Sequence, residues 1–225
     1  MRRGFLKSFG IAIPAGVMAY GVSAPGGVGA RVIGTSSEAG GKLVYDVTAF
    51  GATGDGRTND TPAINKAIDE ATAAGGGTVY FRPGKYLAFS IHLKSRVALY
   101  LELGATIVAG DSAADPAHSY DAAEPNKLWE KYQDYGHNHW HNSLIWGEGL
   151  NDIAICGPGL IWGKGLSRGW GAGPKAEDAG VGNKAIALKN CRNVLLRDFS
   201  ILHGGHFGIL ATGADNLTID NLKID

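Results

Sequence analysis

Residues Tyr45 to Tyr86 read YDVTAFGATGDGRTNDTPAINKAIDEATAAGGGTVYFRPGKY, and this stretch decides the fold. A short apolar strand leads into a Gly-rich turn from Phe50 to Gly56. Asp60 and Thr61 are N-cap candidates for a helix, and Pro62 suits its first turn, where a missing N–H costs nothing. Ile64, Ala67, Ile68 and Ala71 recur at three- and four-residue spacing, so one helix face is apolar, with Lys66, Asp69 and Glu70 lying off it. Gly75 to Gly77 end the helix, because glycine takes the left-handed conformation of a C-terminal cap. Val79 and Phe81 alternate with Thr78, Tyr80 and Arg82, as in a half-buried strand closed by Pro83-Gly84. A lone helix of about fourteen residues is marginal in water, so it must lie against the strands that follow.

The pattern FGAxGDGxxxDTxAIxxAIxxAxxxGGGxVxxPxGxY closely resembles the N-terminal cap of proteins with the pectin-lyase-like, right-handed parallel β-helix fold. Phe50-Gly51-Ala52, Gly54-Asp55-Gly56, Asp60-Thr61, Ala63-Ile64, Ala67-Ile68, Gly75 to Gly77, Val79, Pro83-Gly84 and Tyr86 carry the match. The resemblance is specific for the superfamily and weak on chemistry, since hydrolases, lyases, epimerases and phage tail-spikes share this opening. It implies an all-β, right-handed parallel solenoid with an α-helical N-terminal cap.

Upstream, Arg2, Arg3 and Lys7 precede an apolar run from Phe9 to Val22 that is too short and too interrupted to span a membrane. Residues 1–30 therefore read as an export signal, and Arg2-Arg3-Gly4-Phe5-Leu6-Lys7 resembles the twin-arginine type. Residues 31–44 read as a flexible lead-in, and 45–225 as solenoid. The whole chain has 21 basic and 21 acidic residues; without the three basic residues of the signal, 18 against 21 leaves a net charge of −3. That balance supports neither nucleic-acid binding nor a global attraction to acidic polysaccharide. Once the signal is removed, no membrane association is expected, and the chain reads as an exported monomer, periplasmic or extracellular. Cys156 and Cys191 fall at different phases of the repeat described next and read as two buried thiols, although export would permit them to pair. No Cys/His pattern suggests zinc, and no cofactor is implied.

Near the C-terminus, Asn193 to Ile201 aligns with Asn216 to Ile224 at an offset of 23 residues, and Ile186 to Leu188 aligns with Ile209 to Ala211 at the same offset. Asn151 to Ile155 is an earlier copy displaced by an insertion at 163–182, and strands at Val97–Leu103 and Ala105–Val108 fit a still earlier turn. A single coil cannot bury its alternate Val, Leu and Ile, whereas stacked coils can. Asn193 and Asn216 precede equivalent strands, where asparagine tolerates a left-handed turn and could stack as a ladder. The pattern stops at Asp225 in mid-coil, so we expect further coils downstream.

Gly157-Pro-Gly159-Leu-Ile-Trp162-Gly163-Lys-Gly165 resembles the GxGxIDGxG segment of glycoside hydrolase family 28, the polygalacturonases, with Trp162 where that pattern has Asp. Asn190 to Ile201, then His203-Gly-Gly-His206-Phe207 to Asn216, resemble the family's NxxNVxIxxxxIxxSPxWxIHxxxCxNVxI stretch, with Ile209-Leu210 in place of its Ile-His. The family inverts glycosidic bonds with carboxyls about 6.5–9.5 Å apart, a spacing that adjacent coils about 4.8 Å apart can supply. Its Asn-Thr-Asp, Asp-Asp, Gly-His-Gly and Arg-Ile-Lys motifs do not occur in these 225 residues. The resemblance implies that the catalytic residues lie downstream of Ile224 and that none is in this chain.

The run from Trp129 to Trp146 is the richest in residue types that bind sugars. Aromatic faces stack on sugar rings, while His and Asn bond hydroxyls. His137, His139 and His141 alternate around Trp140, which could also suit a metal on one strand face, but a loop rimming a carbohydrate groove is the preferred reading. Trp140, His141, His203 and His206 are the candidate substrate contacts, with Trp162 and Trp170 behind them. Asp152, Asp198 and Asp220 read as turn or surface acids, and Asp55 and Asp60 as parts of the cap. The expected activity is inverting hydrolysis of pectic or related plant polysaccharide. A polysaccharide lyase or a non-catalytic glycan binder on the same scaffold is the alternative.

Overall fold

The computed structural model describes residues 43–128, 137–168 and 178–225. The expected signal, most of the lead-in, Trp129 and Trp170 lie outside the described residues. No helix among the described residues is long and apolar enough to cross a membrane.

The opening stretch folds much as its pattern dictates. Strand β1 (Val44–Asp46) starts inside the expected lead-in, and a short 3₁₀ turn (Val47–Phe50) and β2 (Asp55–Asn59) precede helix α1 (Thr61–Ala73). Ile64, Ala67, Ile68 and Ala71 are all fully buried. Asp60 occupies the N-cap position but makes no side-chain capping bond to the helix. Its carboxylate instead accepts hydrogen bonds from the Thr53 and Gly54 N–H groups at 2.7 and 3.1 Å, while Asn59 Oδ1 accepts from Thr61 N at 3.1 Å. The aspartate thus pins the Gly-rich turn, and the asparagine serves the first turn of the helix. At the other end, Gly76 N donates to Ala71 O at 2.9 Å. A Cβ on Gly76 would sit 2.5 Å from Arg96 O, so both its φ of +130° and the approach of the next coil require glycine.

The remaining strands wind into three parallel sheets. Strands β3 (Gly77–Phe81), β6 (Val97–Leu101), β9 (Asn151–Cys156), β12 (Arg192–Arg197) and β15 (Asp215–Asp220) follow β1 in the first sheet. Strands β4 (Gly84–Ala88), β7 (Ala105–Ala109), β10 (Leu160–Trp162), β13 (Ser200–Leu202) and β16 (Lys223–Ile224) follow β2 in the second. Strands β5 (Ile91–His92), β8 (Ile145–Glu148), β11 (Lys184–Lys189) and β14 (Phe207–Thr212) form the third. From β3 onward the chain visits the three sheets in turn, whereas in the first coil α1 follows β2 and no third-sheet strand forms.

Parallel registers stack like on like. Tyr86, Ile107, Ile161, Ile201 and Ile224 form one column, and Ile91, Ile145, Ile186 and Ile209 another. The 23-residue offset is the register of β12 on β15, where Val194 pairs with Leu217 and Leu196 with Ile219. Asn193 and Asn216 form the ladder: Asn216 Nδ2 donates to Asn193 Oδ1 at 2.9 Å, and Asn193 Nδ2 to Asp152 Oδ1 at 2.8 Å. Asp152, Asn193 and Asn216 all have φ between 54° and 58°, the left-handed turn that Asx residues tolerate. The glycines at 157, 159, 163 and 165 are likewise explained by stacking: a Cβ at each would fall within 2.8 Å of a backbone oxygen in another segment.

Cys191 is buried and Cys156 only partly so, and both are free thiols. Cys156 misses full burial because it sits on the outer side of β9, opposite Arg197 in register.

Candidate functional site

The two insertions fall at one corner. Residues 110–144 join β7 to β8, and residues 163–183 join β10 to β11, so both leave the second sheet and enter the third. Insertions in a solenoid gather on one face because the stacked strands tolerate none. Backbone bonds tie the insertions together: Tyr120 N donates to Gly180 O at 3.0 Å, and Asn183 N to Asn142 O at 3.1 Å. Together they roof the outer face of the third sheet, which is why β11 is buried on both sides rather than alternately.

Under this roof lies a network that no local motif announced. From the sheet come His92 on β5, Trp146 and Glu148 on β8, and Lys189 on β11; the first insertion supplies Asp121, Glu124, Trp140 and His141. Asp121 Oδ2 accepts from Trp146 Nε1 at 2.8 Å and meets His92 Nε2 at 2.7 Å. Partial burial pushes the Asp121 carboxyl up, but the His92 and Trp146 hydrogen bonds outweigh it and hold the group below its ordinary value. Glu148 meets His141 Nε2 at 2.9 Å and Lys189 Nζ at 3.2 Å, and these partners overcome desolvation to lower its pKa also. Glu124 accepts from the Trp140 and His141 N–H groups at 3.0 Å and lies 3.7 Å from Lys189 Nζ, which clamps the insertion onto the sheet. The His141 ring stacks on Trp146 with centroids 4.0 Å apart. Asp121 and Glu148 are therefore ionised acceptors at neutral pH; neither is a carboxyl kept protonated, as a glycosidase's acid must be.

The structure places the four candidate contacts differently. His141 belongs to this network. Trp140 is only 5% exposed, with Lys189 Nζ 4.6 Å from its ring centre, so it packs within the network rather than offering an open stacking face. His206 lies with Phe207 and His137, ring centroids 4.5 and 5.3 Å away, so residues 137–141 run from one site candidate to another. His203 is exposed at a left-handed turn between β13 and β14, φ 53°, and its N–H donates to Asp225 O at 2.8 Å. Residues 137–141 form no strand, so the alternation of His137, His139 and His141 does not place them on one face, and His139 is buried. No cluster of three potential metal-ligating side chains occurs among the described residues. Trp162, on β10, has Lys164 Nζ 5.5 Å from its ring centre.

Sequence reading missed His92, Asp121, Glu124, Glu148 and Lys189. Glu148 and Lys189 could have been found by aligning Ile145 with Ile186, which puts them side by side on the sheet.

A coil of three parallel sheets capped by a helix, with its insertions at one corner, defines the class: the fold is a right-handed parallel β-helix, and the chain is similar to proteins of the pectin-lyase-like superfamily, polygalacturonase-type members included. Residues 44–142 match the family described as rhamnogalacturonase A/epimerase, pectate lyase-like. An exo-poly-alpha-D-galacturonosidase of Dickeya chrysanthemi is 29% identical over 181 residues, 78% of this chain and 28% of that protein. The plasmin and fibronectin-binding protein A of Streptococcus pneumoniae is 32% identical over 185 residues, 79% of this chain and 23% of that protein. Alginate lyase 7 of Azotobacter vinelandii is 62% identical, but only over 44 residues, 20% of this chain and 5% of that protein. Among solved structures, a hyperthermoactive exopolygalacturonase of Thermotoga maritima superposes with a TM-score of 0.62 at 21% identity, over 81% of this chain and 46% of that one. The chain thus spans under a third of the length of these three relatives.

Proposed function

We propose that this chain forms the first coils of an exported β-helix enzyme that hydrolyses pectic or related plant polysaccharide with inversion, and that its third sheet and corner insertions hold the sugar chain. The observation that carries the reading is the His92–Asp121–Trp146–His141–Glu148–Lys189 network at the insertion corner, which sets aromatic rings among fixed hydroxyl-binding groups. The polygalacturonase-type relatives support the substrate class, and they and the pneumococcal surface protein support an extracellular or surface location. Asp121 and Glu148 are held ionised by their partners, and Glu124 is taken up by backbone N–H groups and Lys189. The general acid and base are therefore assigned to coils beyond Asp225.

Two measurements on the chain of residues 1–225 test this. It should release no reducing sugar from polygalacturonate while binding pectic oligosaccharides, and Glu148→Ala should weaken that binding at least tenfold. Reducing-sugar release by this chain, or unchanged binding by the variant, would overturn the reading. A lyase or epimerase on the same coils is favoured by the alginate lyase match, but that match covers only 44 residues, 20% of this chain. Appearance of an unsaturated, ultraviolet-absorbing product from the longer protein would select the lyase.

A further inference from the structure

A second feature of the insertion corner is a small, partly open pocket. It measures about 190 Å³ and is lined by Asp121, Asn142, Asp178, Gly180, Val181 and the alanines beside them. That is below the ~300 Å³ at which drug-sized sites begin, so its occupant is a single ring and not an oligosaccharide. Its walls are fixed before any ligand arrives. Tyr120 N donates to Gly180 O and Val181 N to Asp178 O, at 3.0 and 3.1 Å. Asp121 N donates to Ser90 Oγ at 3.0 Å, and Tyr120 Oη donates to Gly110 O at 2.7 Å.

Asn142 points to what the pocket takes. The residue is 2% exposed, and its Nδ2 has no hydrogen-bond partner. Amide ends are readily confused, but here the neighbour decides the orientation. Fully buried Lys184 approaches Asn142 Oδ1 with its Nζ at 3.5 Å, and an ammonium can only donate, so the oxygen faces the lysine and the NH₂ faces away from it. A buried donor left without an acceptor is costly. The lining therefore brings one amide and two carboxylates together, and no basic side chain is among its described residues. Sugar hydroxyls both donate and accept and would satisfy all three groups. A uronate would bring a third carboxylate against Asp121, which its partners already hold ionised, and against Asp178.

We infer that this pocket binds one uncharged sugar residue and discriminates against a uronate there, so that the polysaccharide carries a neutral unit at this position. The inference rests on the carbohydrate reading above and narrows its substrate. The test titrates the 225-residue chain with methyl galactoside and with methyl galacturonoside, which differ only in CH₂OH against COO⁻, and follows binding by NMR. The galactoside should bind at least tenfold tighter. Asn142→Ala should weaken it severalfold, and Asp178→Asn, a change at an exposed side chain, should narrow the preference. Equal or tighter binding of the galacturonoside, no binding of the galactoside, or indifference to both variants would overturn the inference. If pectic oligosaccharides still bind and still respond to Glu148→Ala, only the pocket assignment fails. If the galactoside binds here while Glu148→Ala is silent, the pocket stands and the network reading fails.

Discussion

Replacing Asn193 with alanine tests the stacking of coils directly. The side chain makes two ladder bonds, accepting from Asn216 at 2.9 Å and donating to Asp152 at 2.8 Å. Both are exposed, so each is worth about 0.5 kcal/mol, the low end for a hydrogen bond. The backbone adds a larger cost. Asn193 has φ 55°, where a residue with a Cβ and no compensating local bond is disfavoured by about 1–2 kcal/mol. The sum is about 2–3 kcal/mol. Glycine loses the same bonds without the steric cost, but frees the unfolded chain by about 0.4–1 kcal/mol, so Asn193→Gly should be milder by roughly 0.5–1 kcal/mol. At about 2–4 °C per kcal/mol for a domain of this size, alanine should lower Tm by roughly 4–12 °C. Thermal melts and urea unfolding of the three proteins measure the order. A double-mutant cycle with Asn216→Ala should show non-additivity of about 0.5 kcal/mol, as expected of neighbours sharing a bond. Wild-type stability in Asn193→Ala, or glycine at least as damaging as alanine, would refute both the ladder and its left-handed turn.

Two further outcomes follow from the packing and the charges. Gly76→Ala would drive a Cβ to 2.5 Å from Arg96 O at a φ of +130°, so it should cost at least about 2 kcal/mol, read by urea unfolding; a neutral result would mean that the helix end does not abut the second coil. Asp121 and Glu148 have folded pKa values below their unfolded ones, so their contribution is complete above about pH 4.5 and is lost as pH falls through the lowered folded values. Melts taken from pH 7 down to pH 3 should therefore show stability falling only in the acid range, and Glu148→Gln should flatten that fall; an unchanged slope would exclude Glu148 from the linkage.

The cap and the coil were legible because both are local or periodic. The apolar face of α1 appears at helical spacing, and its four residues are the ones fully buried. The 23-residue offset is visible because identical coils place identical side chains in register, and parallel stacking then makes Asn193 meet Asn216. Asp60 shows where local rules stop: it sits at the position the capping pattern predicts, yet its carboxylate reaches back to Thr53 and Gly54, because tertiary closure of the turn offers two donors in fixed geometry. The network escaped the sequence for a related reason. His92, Asp121, Glu148 and Lys189 are up to 97 residues apart, and only the winding of the coils, with both insertions emerging at one corner, sets them within hydrogen-bond reach. The order of residues thus fixed what repeats, since side-chain periodicity is a property of the chain. The site depended on which coil lies over which, and that is set by inter-strand hydrogen bonding and the packing of the core.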